Sequence, residues 1–194
     1  MYEVIGGTQS RAFRVMWMLE ELEQPYKHTP AKPHSPEALA ANPSGKIPAL
    51  RDGDACMVDS TAILTYLADK HGKLTYPAGT VDRARQDGMT HMVLDELDAV
   101  LWTAARHSFV LPEDKRVPEI KDSLKWEFAR NIERLADKME GPFLMGEQMT
   151  IADIIAAHCL NWAYSAKFEI DQPKLLAYAK VMRSRDAFKR AAAR

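Results

Sequence analysis

The chain has 194 residues, 46% of them hydrophobic and 27% charged, a composition that can bury a core and excludes disorder over most of its length. Lys and Arg number 26 against 27 Asp and Glu, a formal net charge of -1, so no global positive field is available to hold nucleic acid or an anionic membrane surface. The length allows one to two domains.

No stretch approaches the length of a membrane span, and Met1-Tyr2-Glu3-Val4-Ile5 has neither the basic stretch nor the apolar run of a secretory signal, so a cytoplasmic protein is expected. Cys56 and Cys159 lie in apolar stretches, which predicts buried free thiols rather than a disulfide. The histidines His28, His34, His71, His91, His107 and His158 show no metal-ligand spacing, and no metal is expected.

The first five residues read as a strand ending at Gly6-Gly7. Apolar residues at Ala12, Val15, Met16, Leu19 and Leu22 then form a helical stripe, with Ser10 where an N-cap belongs and Pro25 beyond the end. Tyr26 to Thr29 predicts a second strand, and Ser35-Pro36 the cap and first position of a short helix over Ala38 to Ala41. Ala49 to Arg51 and Cys56 to Val58 predict strands paired antiparallel across Asp52-Gly53-Asp54, since Asp-Gly tolerates positive φ. Asp59-Ser60 opens a helix that ends at Gly72.

Strand signals stop after Tyr76-Pro77-Ala78-Gly79. Helices are expected near 81–106, 118–139, 150–164, 173–183 and 186–194. Thr150-Ile151-Ala152-Asp153 has the hydroxyl and acid of a capping box, with Met149 and Ile154 as its hydrophobic staple. Two domains are therefore expected, residues 1–78 with the order βαβαββα and residues 79–194 all helical. The basic residues Arg183, Arg185, Lys189, Arg190 and Arg194 read as a solvated face or as charge at a helix C-terminus.

This order, with a proline before the hairpin, is the pattern of the thioredoxin-like fold. Asn42-Pro43-Ser44-Gly45-Lys46-Ile47-Pro48-Ala49-Leu50 resembles the signature of glutathione S-transferases. Asp59-Ser60-Thr61-Ala62-Ile63-Leu64-Thr65-Tyr66-Leu67, Ser10-Arg11-Ala12-Phe13-Arg14-Val15 and the Thr150 to Asp153 cap resemble three further elements of that family, in the family's order. The resemblance is to cytosolic, bacterial-like members of the serine type.

The resemblance implies a cis Ile47-Pro48 bond, with the Ile47 backbone pairing the cysteinyl unit of glutathione. It also implies Asp59 and Ser60 at the γ-glutamyl end, and Lys46 and His34 at the glycine carboxylate. Each has a plainer reading: a trans proline ending a loop, and N-capping at Asp59-Ser60. The thiolate-stabilising residue is expected at Ser10, with Thr8 as the alternative and a plain N-cap as Ser10's structural role. A hydrogen bond to a thiolate contributes about 1.5–3 kcal/mol and a helix N-terminus about 0.3–1 kcal/mol. Together they lower a thiol pKa by ~1–3 units from ~8.5.

The absence of Cys-x-x-Cys disfavours mixed-disulfide chemistry. Trp102 and Arg106, with Tyr164 or Trp162 nearby, are expected to line a hydrophobic second-substrate site. The function implied is conjugation of glutathione, as co-substrate, to a small hydrophobic electrophile by a homodimer. Alternatives are glutathione-dependent peroxide reduction or isomerisation, and a non-catalytic binding or regulatory protein of the same fold.

Overall fold

A computed structural model describes residues 1–194. The chain runs through β1 (Tyr2–Ile5), α1 (Ala12–Glu21), β2 (Tyr26–Thr29), α2 (Pro36–Ala41), β3 (Ala49–Asp52), β4 (Ala55–Val58) and α3 (Ser60–His71). The strands form one mixed sheet in the order β2-β1-β3-β4. β1 and β2 are parallel, joined by the α1 crossover that parallel pairing requires, and the other pairs are antiparallel. The local signals behave as expected. The Ser35 hydroxyl accepts the Ala38 N–H at 3.4 Å, Gly53 turns the hairpin at φ 60 and Gly72 closes α3 in the left-handed region.

Glu3 ties β1 to both of its neighbours, β2 and β3. Its carboxylate accepts from the Thr29 hydroxyl at 2.7 Å, Lys27 Nζ at 2.9 Å and Arg51 Nη1 at 3.2 Å. The Thr29 hydrogen bond, with help from Lys27 and Arg51, lowers its pKa from the ordinary 4.5 to about 2. Beneath the sheet α1 is buried from Ala12 to Glu20, together with Ile63, Leu64 and Leu67 of α3. Burial of each such large aliphatic side chain contributes roughly 1.5–3 kcal/mol.

The remaining helices are α4 (Val81–Val93), α5 (Ala99–Ala105), α6 (Ile120–Lys138), α7 (Ile151–Ser165), α8 (Pro173–Ser184) and α9 (Asp186–Ala192). The single helix expected over 81–106 extends to Val110 and contains two π-turns, Leu94–Asp98 and Arg106–Val110. The i to i−5 bonds Ala99 N–H to Leu94 O and Leu111 N–H to Arg106 O mark them. Within this half α4 packs on α7 and α5 on α6.

The chain forms two compact units, Met1–Thr80 with Met182–Arg194, and Val81–Val181. The C-terminal segment returns to α1. Phe188 meets Phe13 and Trp17 edge-on, each at 5.0 Å between ring centroids. The basic cluster is accordingly not just a solvated face. Arg185 Nε and Nη2 donate to the two oxygens of Glu21 at 2.6 and 2.8 Å, while Arg190 Nε and Arg194 Nη2 reach Glu20 at 2.8 and 3.1 Å. Burial pushes the Glu20 carboxyl up, but hydrogen bonds from Arg190, Arg194 and Tyr26 outweigh it and hold the pKa below its ordinary value. Cys159 is buried as expected but Cys56 is exposed, on β4 at one edge of the sheet.

In the second unit the expected capping box is present at Thr150 and Asp153. Asp153 is fully buried and accepts from Leu144 N–H at 2.8 Å, Tyr178 O–H at 3.0 Å, Thr150 N–H at 2.8 Å and Thr150 O–H at 3.2 Å. Burial raises its pKa and these four bonds oppose the rise. Asp153→Ala strands several buried donors, and a loss of about 3 kcal/mol is expected in urea denaturation.

Glu3 supplies a pH test. Its folded pKa lies below the unfolded value, so its stabilisation is present above about pH 4.5 and fades as the pH falls toward about 2. Glu3→Gln is expected to lower stability by about 1 kcal/mol at neutral pH, after allowance for solvent screening. The gap between variant and parent should close on acidification, read as converging urea midpoints.

Candidate functional site

Strand register brings three connections to one end of the sheet. Ile5 pairs with Ala49 and Ala49 with Val58, so Gly6 to Ser10, Ile47-Pro48 and Asp59-Ser60 all leave from that end. The Ile47-Pro48 peptide is cis. Gly6 has φ +143, and a Cβ there would lie 2.7 Å from Ala12 Cβ and 3.4 Å from Ile47 Cβ. Only glycine lets the start of α1 and Ile47 close on β1 together. The Ile47 N–H and C=O make no hydrogen bond within the chain, which leaves a donor and an acceptor for an extended peptide.

The segment before Ile47 folds around Asn42. Asn42 Nδ2 donates to Lys46 O at 3.0 Å, and Asn42 Oδ1 accepts from Ser44 N–H at 3.1 Å and Ser44 O–H at 2.9 Å. His34 N–H donates to Gly45 O at 2.8 Å. A side chain on Gly45, at φ +67, would strike His34 Nδ1. This contact sets His34 beside Lys46's neighbour, and both basic side chains are exposed.

Asp59 adopts φ 71 and caps α3 through one oxygen, Oδ1, which accepts from Thr61 N–H at 2.9 Å and Ala62 N–H at 3.0 Å. The plainer capping reading is therefore true of Oδ1. Oδ2 has no partner in the chain. Ser60 is buried, and its Oγ accepts from Arg14 Nη1 at 3.5 Å. The Ser60 N–H belongs to the unpaired first turn of α3. A free carboxylate oxygen beside a hydroxyl and an open N–H suits a zwitterionic amino-acid head group: ammonium to Asp59, carboxylate to Ser60 and the helix terminus. Arg14 enters the sequence reading only as part of the Ser10 to Val15 motif; its reach to Ser60 spans 46 residues.

At the start of α1 the Ser10 hydroxyl donates to Gly7 O at 2.7 Å and accepts from Ala12 N–H at 3.1 Å. Ser10 thus does the work of the expected cap, although the residue at the cap position is Arg11, which makes no side-chain cap bond. The Ser10 N–H also donates to Gly7 O, at 3.0 Å, so the hydroxyl can turn away and leave that carbonyl with one donor. Thr8 is half-buried and its hydroxyl makes no bond within the chain.

In the second unit Trp102 and Arg106 lie one turn apart and are half-buried. Arg106 Nη2 donates to Thr103 Oγ1 at 2.9 Å, and its buried Nε has no partner. Trp162 meets His158 edge-on at 6.4 Å, whereas Tyr164 is 82% exposed. No group of three or more His, Cys, Asp or Glu could hold a metal ion, and no helix is long and apolar enough to cross a membrane.

Comparison with known proteins agrees with this architecture. The family "Glutathione S-transferase, N-terminal domain" matches residues 10–75 and "Glutathione S-transferase, C-terminal domain" matches residues 97–186. The chain belongs to the glutathione S-transferase family. It is 31% identical over 160 residues to human glutathione S-transferase theta-2B, covering 74% of this chain and 62% of the relative. It is 30% identical over 131 residues to elongation factor 1-gamma of Trypanosoma cruzi, covering 63% and 29%. The chain thus spans less than two thirds of the length of these curated relatives. Among solved structures, a glutathione transferase from Methylococcus capsulatus superposes with TM-score 0.87 at 23% identity, covering 98% of this chain and 97% of the other. One from Phanerochaete chrysosporium in complex with oxidized glutathione gives TM-score 0.85 at 24% identity, covering 99% and 94%. At these identities the superpositions establish the fold.

Proposed function

We propose that the chain binds glutathione in its first unit, holds it as the thiolate with Ser10, and conjugates it through its sulfur to a small hydrophobic electrophile. The observation that carries this reading is the pair of unbonded main-chain groups of Ile47, at the same sheet end as Asp59-Ser60 and Ser10. Glutathione is an extended peptide with a zwitterionic γ-glutamyl end, a central thiol and a glycine carboxylate. Ile47 takes the cysteinyl backbone, Asp59 and Ser60 the γ-glutamyl charges, and Lys46 and His34 the glycine carboxylate, with Pro48 shaping the connection. The Ser10 hydroxyl turns from Gly7 O to the sulfur, and the stabilised thiolate attacks the electrophilic atom and expels its leaving group. Trp102 and Arg106 belong to the electrophile's site in this reading, which also takes the protein to be a cytoplasmic homodimer in detoxification. Peroxide reduction and isomerisation would use the same thiolate, and a panel of aryl halides, epoxides and hydroperoxides separates them.

A second reading is a binding or regulatory protein without turnover. It draws on the engagement of Ser10 within its own loop and on the likeness to elongation factor 1-gamma.

Ser10→Ala is expected to cut kcat with an aryl halide about tenfold or more, the scale of a lost hydrogen bond to a charged group. Glutathione affinity should change little, and stability should fall by about 1 kcal/mol for the lost cap. Unchanged turnover would remove Ser10 from the chemistry, and no turnover by the parent on any of the panel would favour the second reading. Asp59→Asn keeps a capping oxygen but removes the charge, so urea stability should hold within about 0.5 kcal/mol. Calorimetric affinity for glutathione should fall about tenfold; undiminished affinity would reduce Asp59 to a cap.

A further inference from the structure

We infer that His28 is a positioning residue for the loop that presents Ser10, acting through the Gly6 carbonyl. The inference rests on the proposed role of Ser10 and extends it to a side chain outside the glutathione cradle. His28 lies in β2, opposite Val4 of β1. Its Nε2 is 2.8 Å from Gly6 O. A carbonyl only accepts, so Nε2 carries the proton and donates.

That bond falls where the backbone is least able to hold itself. Gly6 and Gly7 are consecutive glycines, the residues with the widest choice of φ and ψ, and they connect β1 to the turn carrying Ser10. Gly6 is buried, and β2 grips it twice: the Gly6 N–H donates to Thr29 O at 3.1 Å and Gly6 O accepts from His28. The second bond fixes the plane of the Gly6-Gly7 peptide. Gly7 O in turn receives both the N–H and the hydroxyl of Ser10, at 3.0 and 2.7 Å. Two hydrogen bonds, His28 to Gly6 O and Ser10 to Gly7 O, therefore hold the two ends of one short stretch of glycine backbone. Without the His28 donor the Gly6-Gly7 peptide plane is free to rotate, and Gly7 O, which keeps the Ser10 N–H when the hydroxyl turns to sulfur, no longer fixes the place of Ser10. Hydrogen bonds weaken steeply with misalignment, so the thiolate loses stabilisation while the cradle at Ile47, Asp59 and Ser60 is untouched.

The test uses the full chain saturated with glutathione, in the wild type and in His28→Ala, His28→Asn, His28→Gln and Ser10→Ala. The readouts are the ultraviolet thiolate titration of bound glutathione, and kcat and KM for glutathione below neutral pH. His28→Ala is expected to raise the thiolate midpoint by about half a unit to one unit, which lowers kcat roughly three- to tenfold on the acid side. KM should change by less than about twofold. His28→Gln places an amide donor at the reach of Nε2 and should recover at least half of kcat, while His28→Asn is too short and should behave like alanine. A merely structural histidine would not split kcat from KM in this way. If His28→Ala does not fold, the Gln and Asn variants carry the same comparison. The inference is overturned by a His28→Ala midpoint equal to wild type while Ser10→Ala moves it, or by Gln recovering no more than Asn. A midpoint that Ser10→Ala fails to move overturns the Ser10 reading itself, a separate result read from a different variant.

Discussion

The close approach at Gly6 is the constraint on which the first unit depends. Strand β1 must end with the first turn of α1 on one side and Ile47 on the other, and a single methyl at Gly6 would sit 2.7 Å from Ala12 Cβ. Because the three pieces touch, the loop bearing Ser10 and the peptide-pairing edge at Ile47 share one wall. Antiparallel pairing of β3 with β4 then delivers Asp59 and Ser60 to the same end. The chemistry of the site follows from a packing requirement: remove the glycine and α1 must back away, carrying Ser10 with it.

Charge is organised around that packing. The net value of -1 conceals a unit in which many acids and bases are matched. Glu3 joins β1 to its two neighbours, and Glu20 and Glu21 at the end of α1 hold the arginines of the C-terminal segment. Removing one partner from such half-buried sets leaves a charge poorly solvated, so they restrict where the last residues can lie. The matching also makes the exceptions informative. Lys46 and the second oxygen of Asp59 lack an opposite charge within the chain, and both border the open end of the sheet. Unmatched charges of both signs at one end of the sheet suit a small ligand carrying both signs.

How much of this the sequence discloses depends on range. Ser35-Pro36, Asp52-Gly53, Gly72 and the Thr150 to Asp153 box each act within a few residues, so their side-chain chemistry marks turns and caps directly, and the structure has them where expected. The cis Ile47-Pro48 bond and the Asp59 cap of α3 were also legible, because the pattern around each is local. The π-turns were not, since they change backbone hydrogen bonding without a side-chain signature. Exposure of Cys56 was misread because an apolar neighbourhood along the chain says nothing about whether a strand lies at a sheet edge. The arginine pairs escaped for a third reason: Arg190 and Glu20 are 170 residues apart, and no periodicity encodes a partner at that distance. His28 belongs with them, its function resting on a carbonyl 22 residues away.

The two readings of Ser10, cap and thiolate donor, are compatible, and setting one against the other sharpens the expected magnitude. The oxygen accepts from Ala12 N–H in either state; the single proton goes to Gly7 O in this structure and to sulfur in the proposed complex. Turning it exchanges a neutral hydrogen bond, worth about 0.5–1.5 kcal/mol, for a charge-assisted one worth about 1.5–3 kcal/mol. Gly7 O keeps the Ser10 N–H, so no buried carbonyl is orphaned by the exchange. The net gain is about 1–1.5 kcal/mol, close to one pKa unit. That is the lower end of what an unengaged serine would supply, so the remainder of any thiolate stabilisation must come from the helix terminus and from the accuracy with which Gly6 and Gly7 aim the hydroxyl.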